Sequence, residues 1–307
     1  MIYTVTLNPS LDYLIRTDAV RPGALCRTRE ETLHPGGKGV NVALVCAALG
    51  VPARAAGFIA GQTGALFASL LAETGVEYDF CRLDAGMTRI NVKVSSREGQ
   101  TELNGSGPAI PPEAIDRLAA SLDALGPEDW LVLSGSVPAG VPADVYARLL
   151  SCVHKNGAHT LLDTSGDALK NALPCAPDLI KPNRDELDAL IGGAPRDLPG
   201  LVACARQLQK TGARSVLLSL GAEGALFVPE EGEALFLEAP EGAVVQTVGS
   251  GDAMAAAWLY ARTSGLPDGE GLRWAVAAGS AAAFCDWLPT REEMQNVLSG
   301  VGLPHKI

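Results

Sequence analysis

The chain has 307 residues, 47% of them hydrophobic, and carries 24 Lys and Arg against 35 Asp and Glu. That length can bury a large core, and an acidic balance with no basic run argues against a nucleic acid or an anionic membrane as partner. A small molecule is the expected ligand. The seven cysteines (Cys26, Cys46, Cys81, Cys152, Cys175, Cys204, Cys285) are odd in number and never in C-x-x-C spacing, which suits reduced thiols in a cytoplasmic protein. His34, His154, His159 and His305 show no metal-ligand spacing, which argues against a zinc site. No basic segment followed by an apolar run precedes the first strand, so no targeting peptide is expected. The longest apolar run, 275–287, is broken by Gly and Ser and falls short of the roughly 18 residues of a membrane span.

In chain order, IYTVTL alternates as a strand, and the apolar spacing predicts a helix over 38–49 ended by Gly50. ARAAGFIAG reads as a strand, followed by a helix over 64–74 with Thr63 as its cap and Gly75 as its stop. Further on, WLVLSGS, HTLLDTS, DLIKPN and SVLLSLG read as strands, and VYARLLSCVHKNG and RDELDALIG as helices. Helices over 251–264, 270–286 and 290–299 close the chain. Repeated βα units with near-continuous apolar strands imply a mostly parallel sheet with helices on both faces. Two regions, 8–34 and 77–107, hold short extended pieces (YDFCRL, RINVKVSS, TELNG) without helices between them. They are expected to form a small antiparallel sheet apart from the main one, read as a lid. In RINVKV the residues Arg89, Asn91 and Lys93 share one face, while Ile90, Val92 and Val94 share the other. The apolar face is expected to pack, leaving the polar face either to hold an anion or to lie in solvent. No linker, low-complexity tract or repeat is visible, so residues 1–307 are expected to form one unit.

Three segments carry chemistry. In TVGSGDAM, Gly249 and Gly251 let the backbone approach a ligand, and the helix that follows offers unpaired N–H groups and a positive dipole end to an anion. Neither the P-loop nor the dinucleotide fingerprint is matched. Asp252 sits in an apolar stretch where an ionised carboxylate is costly unless it is used, although an acid in the first turn also complements the helix dipole. In LHPGGKGVNVALVCAALG, Gly36, Gly37 and Gly39 make a tight approach, Lys38 supplies a cation, and Asn41 opens an amphipathic helix. In KPNRDEL, Asn183 and Glu186 are three apart at a helix start, where they could meet a hydrated Mg²⁺ or simply form a capping box.

Together, GGKGVNVA, SGSVPAG, KPNRDEL, SLGAEGALF and TVGSGDAM, in this order, resemble the motifs of the ribokinase-like PfkB-type carbohydrate kinases, over residues 1 to about 298. MIYTVTLNPSLD, TRINVKV, TELNGSGP, LDTSG and LPTREE bring the likeness nearest to the 1-phosphofructokinases, with tagatose-6-phosphate kinases similar. The resemblance implies an α/β, ribokinase-like three-layer sandwich with a small β-sheet lid that often dimerises. It implies phosphorylation of a ketohexose phosphate by ATP, with fructose 1-phosphate going to fructose 1,6-bisphosphate. Asp252 would be the general base, with Gly249, Ser250 and Gly251 forming the anion hole. Asp12, Gly37 and Asn41 would contact sugar hydroxyls, and Arg89, with Lys38 and with Arg27 from a neighbouring lid, the phosphate already on the sugar. Ser219, Gly221, Gly224 and Lys181 would border the nucleotide, and Asn183 and Glu186 would position Mg²⁺ through water. Ser250 departs from a frequent Ala and Ala253 from a frequent Ser; neither removes the acid or its backbone donors. The alternatives are a tagatose-6-phosphate kinase or a 6-phosphofructokinase, a non-catalytic nucleotide or sugar sensor, and a nicotinamide-dependent oxidoreductase. The last lacks its fingerprint after the first strand.

Overall fold

The computed structural model describes residues 1–193 and 195–307. In chain order its strands are β1 (Ile2–Thr6), β2 (Ser10–Thr17), β3 (Thr28–Gly36), β4 (Ala53–Ala60), β5 (Glu77–Leu83), β6 (Arg89–Ser96), β7 (Gly99–Asn104), β8 (Trp130–Ser134), β9 (His159–Asp163), β10 (Leu179–Ile180), β11 (Ser215–Ser219), β12 (Ala225–Val228), β13 (Leu235–Leu237) and β14 (His305–Lys306). The ten-stranded main sheet has the order β14-β13-β12-β11-β10-β9-β8-β1-β4-β5. It is parallel from β5 to β11 and antiparallel beyond.

Helices cover both faces. On one lie α1 (Lys38–Ala48) and α2 (Gly61–Glu73); on the other α3 (Pro112–Leu122), α4 (Val145–His154), α5 (Gly166–Ala172), α6 (Arg184–Ile191) and α7 (Leu198–Lys210). The first face is completed by α8 (Ser250–Thr263), α9 (Asp268–Phe284) and α10 (Arg291–Gly300). This is the three-layer ribokinase-like arrangement. Strands with apolar side chains on both faces, such as Leu131, Val132 and Leu133 in β8, require it, because each face must be covered. α8 is buried from Asp252 through Leu259, so the carboxylate does start an all-round buried helix.

Three sequence expectations change. β5, the YDFCRL segment, belongs to the main sheet, in parallel register with β4 from Arg54↔Glu77 to Ala60↔Leu83. It closes a β4-α2-β5 crossover, and Phe80 packs edge-on against Phe67 of α2 at 5.1 Å. The second sheet therefore holds only β3-β2-β6-β7, and it is mixed, since β2 and β6 run parallel. The chain leaves that sheet after β3, builds β4-α2-β5, and returns in the direction of β2. Helix α2 begins at Gly61 with Ala60 as its N-cap, so Thr63 lies inside the helix and is not its cap. β4 runs directly into the helix through Gly61, whose φ of 62° suits a residue without a Cβ.

Candidate active site

β1 lies between β4 and β8, so the chain winds outward from it in both directions. Ligands of open α/β sheets bind beyond the carboxyl ends of strands at such a switch point. Here the ends of β9 and β11, the starts of α1, α6 and α8, and one face of the second sheet enclose a cleft of about 1200 Å³.

Gly249 caps α8 with φ 81°, a left-handed conformation that a Cβ would strain, and that Cβ would also lie 2.9 Å from Leu288. At Gly251 a Cβ would stand 3.0 Å from the Lys181 ammonium, so the glycine keeps the first turn open to that cation. Ser250 Oγ is buried without a hydrogen-bond partner. Asp252, 5% exposed, accepts a hydrogen bond from Asn41 Nδ2 at 2.8 Å through Oδ2. Burial, reinforced by the charge of Asp163, pushes its pKa up to about 6, against the pull of Lys38, Asn41 and Lys181. A carboxyl poised near neutrality can take a proton from a hydroxyl.

Beneath it lies a residue the sequence reading did not single out. Asp163 ends β9 at 1% exposure and pairs with Lys38 Nζ at 3.1 Å and Lys181 Nζ at 3.2 Å. Burial opposes its charge, yet Lys181 and Lys38 together hold its pKa below the ordinary value. The same carboxylate outweighs burial at Lys38 and raises that ammonium's pKa. One carboxylate thus fixes two cations at the cleft floor. Its only sequence signal was an acid at the carboxyl end of a buried strand, in LDTSG.

The second sheet supplies the opposite wall, and its orientation reverses the expected packing. Asn91 and Lys93 are buried on the face toward the cleft, whereas Ile90 is 37% exposed on the far face. Asp12 on β2 sets this orientation: it accepts from Ser10 Oγ at 2.7 Å, Asn91 Nδ2 at 3.1 Å and Lys93 Nζ at 2.8 Å. A Cβ on Gly36 would stand 2.6 Å from the Asp12 carboxyl carbon. Arg89, half-buried, donates from Nε to the Asn8 carbonyl at 3.1 Å and from Nη1 to that of Gly105 at 3.4 Å. It also lines a side pocket of about 300 Å³ with Asn8, Lys38, Ser134, Ser136 and Thr164.

Asn183 and Glu186 form a capping box at the start of α6: Glu186 N donates to Asn183 Oδ1 at 2.8 Å, and Asn183 N to Glu186 Oε2 at 2.9 Å. Both still line the cleft, as do Gly37, Ser219, Gly221 and Gly224. Among the described residues no group of three His, Cys, Asp or Glu could cage a metal. Arg27 is the exception among the sequence-predicted residues. It lies exposed in the β2–β3 connection, outside the cleft of its own chain, and its carbonyl accepts from Thr17 Oγ1.

Known proteins are similar to this chain in sequence and fold. The description "pfkB family carbohydrate kinase" fits residues 5–286. The chain is 37% identical over 301 residues to a 1-phosphofructokinase of Bacillus subtilis, covering 98% of each, and 33% identical over 306 residues to a D-tagatose-1-phosphate kinase of Bacillus licheniformis, covering 99% of this chain and 100% of the relative. Among solved structures, phosphofructokinase-2 of Escherichia coli in complex with substrates and products superposes with a TM-score of 0.92 at 32% identity, covering 97% of this chain and 98% of the other. The chain belongs to the pfkB family of carbohydrate kinases.

Proposed function

We propose that this sugar-phosphate kinase transfers the γ-phosphoryl group of ATP to the free primary hydroxyl of fructose 1-phosphate. The observation that carries the reading is Asp252, a buried carboxyl of raised pKa at the first turn of α8, opposite a sheet that presents Asp12 and Arg89. Asp252 takes the hydroxyl proton as the sugar oxygen bonds to phosphorus and the bond to ADP breaks. Backbone N–H groups of Gly249, Gly251 and Asp252, with Lys38 and Lys181, stabilise charge on the transferring oxygens, while that of Ser250 donates to the Thr247 carbonyl at 3.3 Å. Gly37, Asn41 and Asp12 hold the sugar, and Arg89 beside the side pocket holds its phosphate. Ser219, Gly221 and Gly224 border the nucleotide. The donor set at Asn183 and Glu186, already half engaged in capping, fits an Mg²⁺ ion held mainly by water and phosphate oxygens. Bound there, the ion would neutralise nucleotide charge.

A second reading, tagatose 1-phosphate, is favoured by the D-tagatose-1-phosphate kinase relative, since the two sugars differ at a single hydroxyl-bearing carbon. Coupled ADP-release assays with fructose 1-phosphate, tagatose 1-phosphate, fructose 6-phosphate and tagatose 6-phosphate decide among them. The highest kcat/KM is expected on fructose 1-phosphate. Turnover on none would leave a binding protein and end the reading.

The second sheet serves as a lid that closes over bound substrates and keeps water from the γ-phosphate. Amide exchange over residues 86–105 is expected to slow when phosphosugar and a non-hydrolysable nucleotide are both present. Equal exchange with and without them would rule the lid out. Its far face exposes Ile90 and, at 62%, Leu103, an apolar surface that a second copy's lid would cover. Such pairing would also bring Arg27 toward the neighbouring cleft. Sedimentation is expected to give a homodimer whose turnover falls with Arg27→Ala. A fully active monomer would remove both the pairing and the role of Arg27.

A further inference from the structure

We propose that Asn91 is a specificity-determining residue whose Oδ1 accepts a hydrogen bond from a ring hydroxyl of the sugar phosphate. This assignment rests on the kinase reading above. Asn91 faces the cleft from β6, directly opposite Asp12 in the β2–β6 register, and is 8% exposed. Its amide has one available orientation. Nδ2 lies 3.1 Å from Asp12 Oδ1, and Asp12 pairs with the buried Lys93 ammonium at 2.8 Å, so it is a carboxylate that only accepts. The donor end of Asn91 is therefore committed to Asp12. The acceptor end, Oδ1, is buried and has no protein partner.

A buried acceptor without a donor is costly unless a ligand supplies one. Phosphate oxygens at neutral pH bring acceptors, so the complementary group is a hydroxyl. The opposite wall repeats the pattern: Asn41 commits Nδ2 to Asp252 Oδ2 at 2.8 Å and leaves Oδ1 buried and unpartnered. The two residues, one on β6 and one on α1, line the same cleft, each with a buried acceptor that no protein group satisfies. Arg89 precedes Asn91 by two residues on the same strand face, about 7 Å along the strand. With the phosphate at Arg89, the next atoms of a phosphosugar reach Asn91 as ring carbons bearing hydroxyls.

The alternative is that Asn91 only orients Asp12. The two roles separate when the substrate loses the hydroxyl instead of the protein losing the amide. kcat/KM is measured for wild type and Asn91→Ala on fructose 1-phosphate, on its 3-deoxy and 4-deoxy analogues, and on 2,5-anhydromannitol 1-phosphate, which lacks the anomeric hydroxyl. Loss of one hydrogen bond to a neutral group predicts about a two- to tenfold deficit of the variant on fructose 1-phosphate. On one analogue the deficit is expected to shrink to near unity, because the partner hydroxyl is already gone. Calorimetric titration with fructose 1-phosphate alone should show the same weakening, with ATP affinity unchanged. A deficit of equal size on all four substrates, or no deficit at all, would overturn the role of Asn91. A wild type silent on fructose 1-phosphate would instead overturn the substrate reading on which the role rests.

Discussion

Replacing Asp252 with Asn is expected to lower kcat by roughly 10² to 10⁴, the usual worth of a positioned general base, while the folded protein becomes more stable. The two effects share one cause. Burial raises the carboxyl from its ordinary value to about 6, so between about pH 4 and 6 the folded state holds a proton that the unfolded state has released. Stability contributed by that proton falls as pH rises through this window, and above it the buried charge costs on the order of 2 to 3 kcal/mol. The amide is neutral and can still accept from Asn41 Nδ2. Thermal unfolding at pH 7.5 should therefore show Asp252→Asn melting several degrees above wild type, and the gain should vanish near pH 4. Wild-type kcat/KM should fall about tenfold per pH unit below about 6, as the base takes up its proton. A folded variant with near-normal turnover would return Asp252 to the lesser part of a first-turn acid complementing the helix dipole.

What could be read from the sequence was local. The glycines of TVGSGDAM and HPGGKG announce helix starts whose backbone must lie close to something, and a helix start at a strand's carboxyl end points into the cleft whatever the rest of the chain does. Asp252, Asn41, Lys38 and Gly37 stand out in this way, whereas Ser219 came only with the family resemblance; the cleft contains them all. Asp163 could not be. Its role depends on Lys38, 125 residues earlier, and on Lys181, and no single segment displays that meeting. The alternation of RINVKV was legible, but which face turns inward was not, because Asp12 on a separate strand decides it. YDFCRL alternates as a lid strand does, and only its crossover through α2 assigns it to the main sheet. Arg27 was expected to act from a neighbouring lid, and its exposed place in the β2–β3 connection, outside its own cleft, leaves that role to a second copy of the chain. Residue type and local pattern select candidates; long-range pairing decides which of them meet.

Arg89 is where that distinction can be measured. If its guanidinium holds the phosphate already on the sugar, Arg89→Ala loses charge-assisted hydrogen bonds of about 1.5 to 3 kcal/mol, or roughly tenfold to a little over a hundredfold in kcat/KM. In the protein alone, Nε and Nη1 are held by the carbonyls of Asn8 and Gly105, which aims the planar fork without neutralising it. Burial lowers its pKa and Asp12 opposes the change, so a dianionic ligand would gain from a cation that water only partly screens. The same carbonyl contacts allow a rival account, in which Arg89 merely ties β6 to the segments around Asn8 and Gly105. Free fructose separates the two. It carries no phosphate, so it should be a poor substrate for wild type and for Arg89→Ala alike, and the variant's deficit should appear only on fructose 1-phosphate. Inorganic phosphate should also inhibit wild type more than the variant, since it competes for the same guanidinium. An equal proportional loss on both sugars would mean that Arg89 supports the wall, and the substrate phosphate would then have to be sought at Lys38 and the hydroxyls of the side pocket.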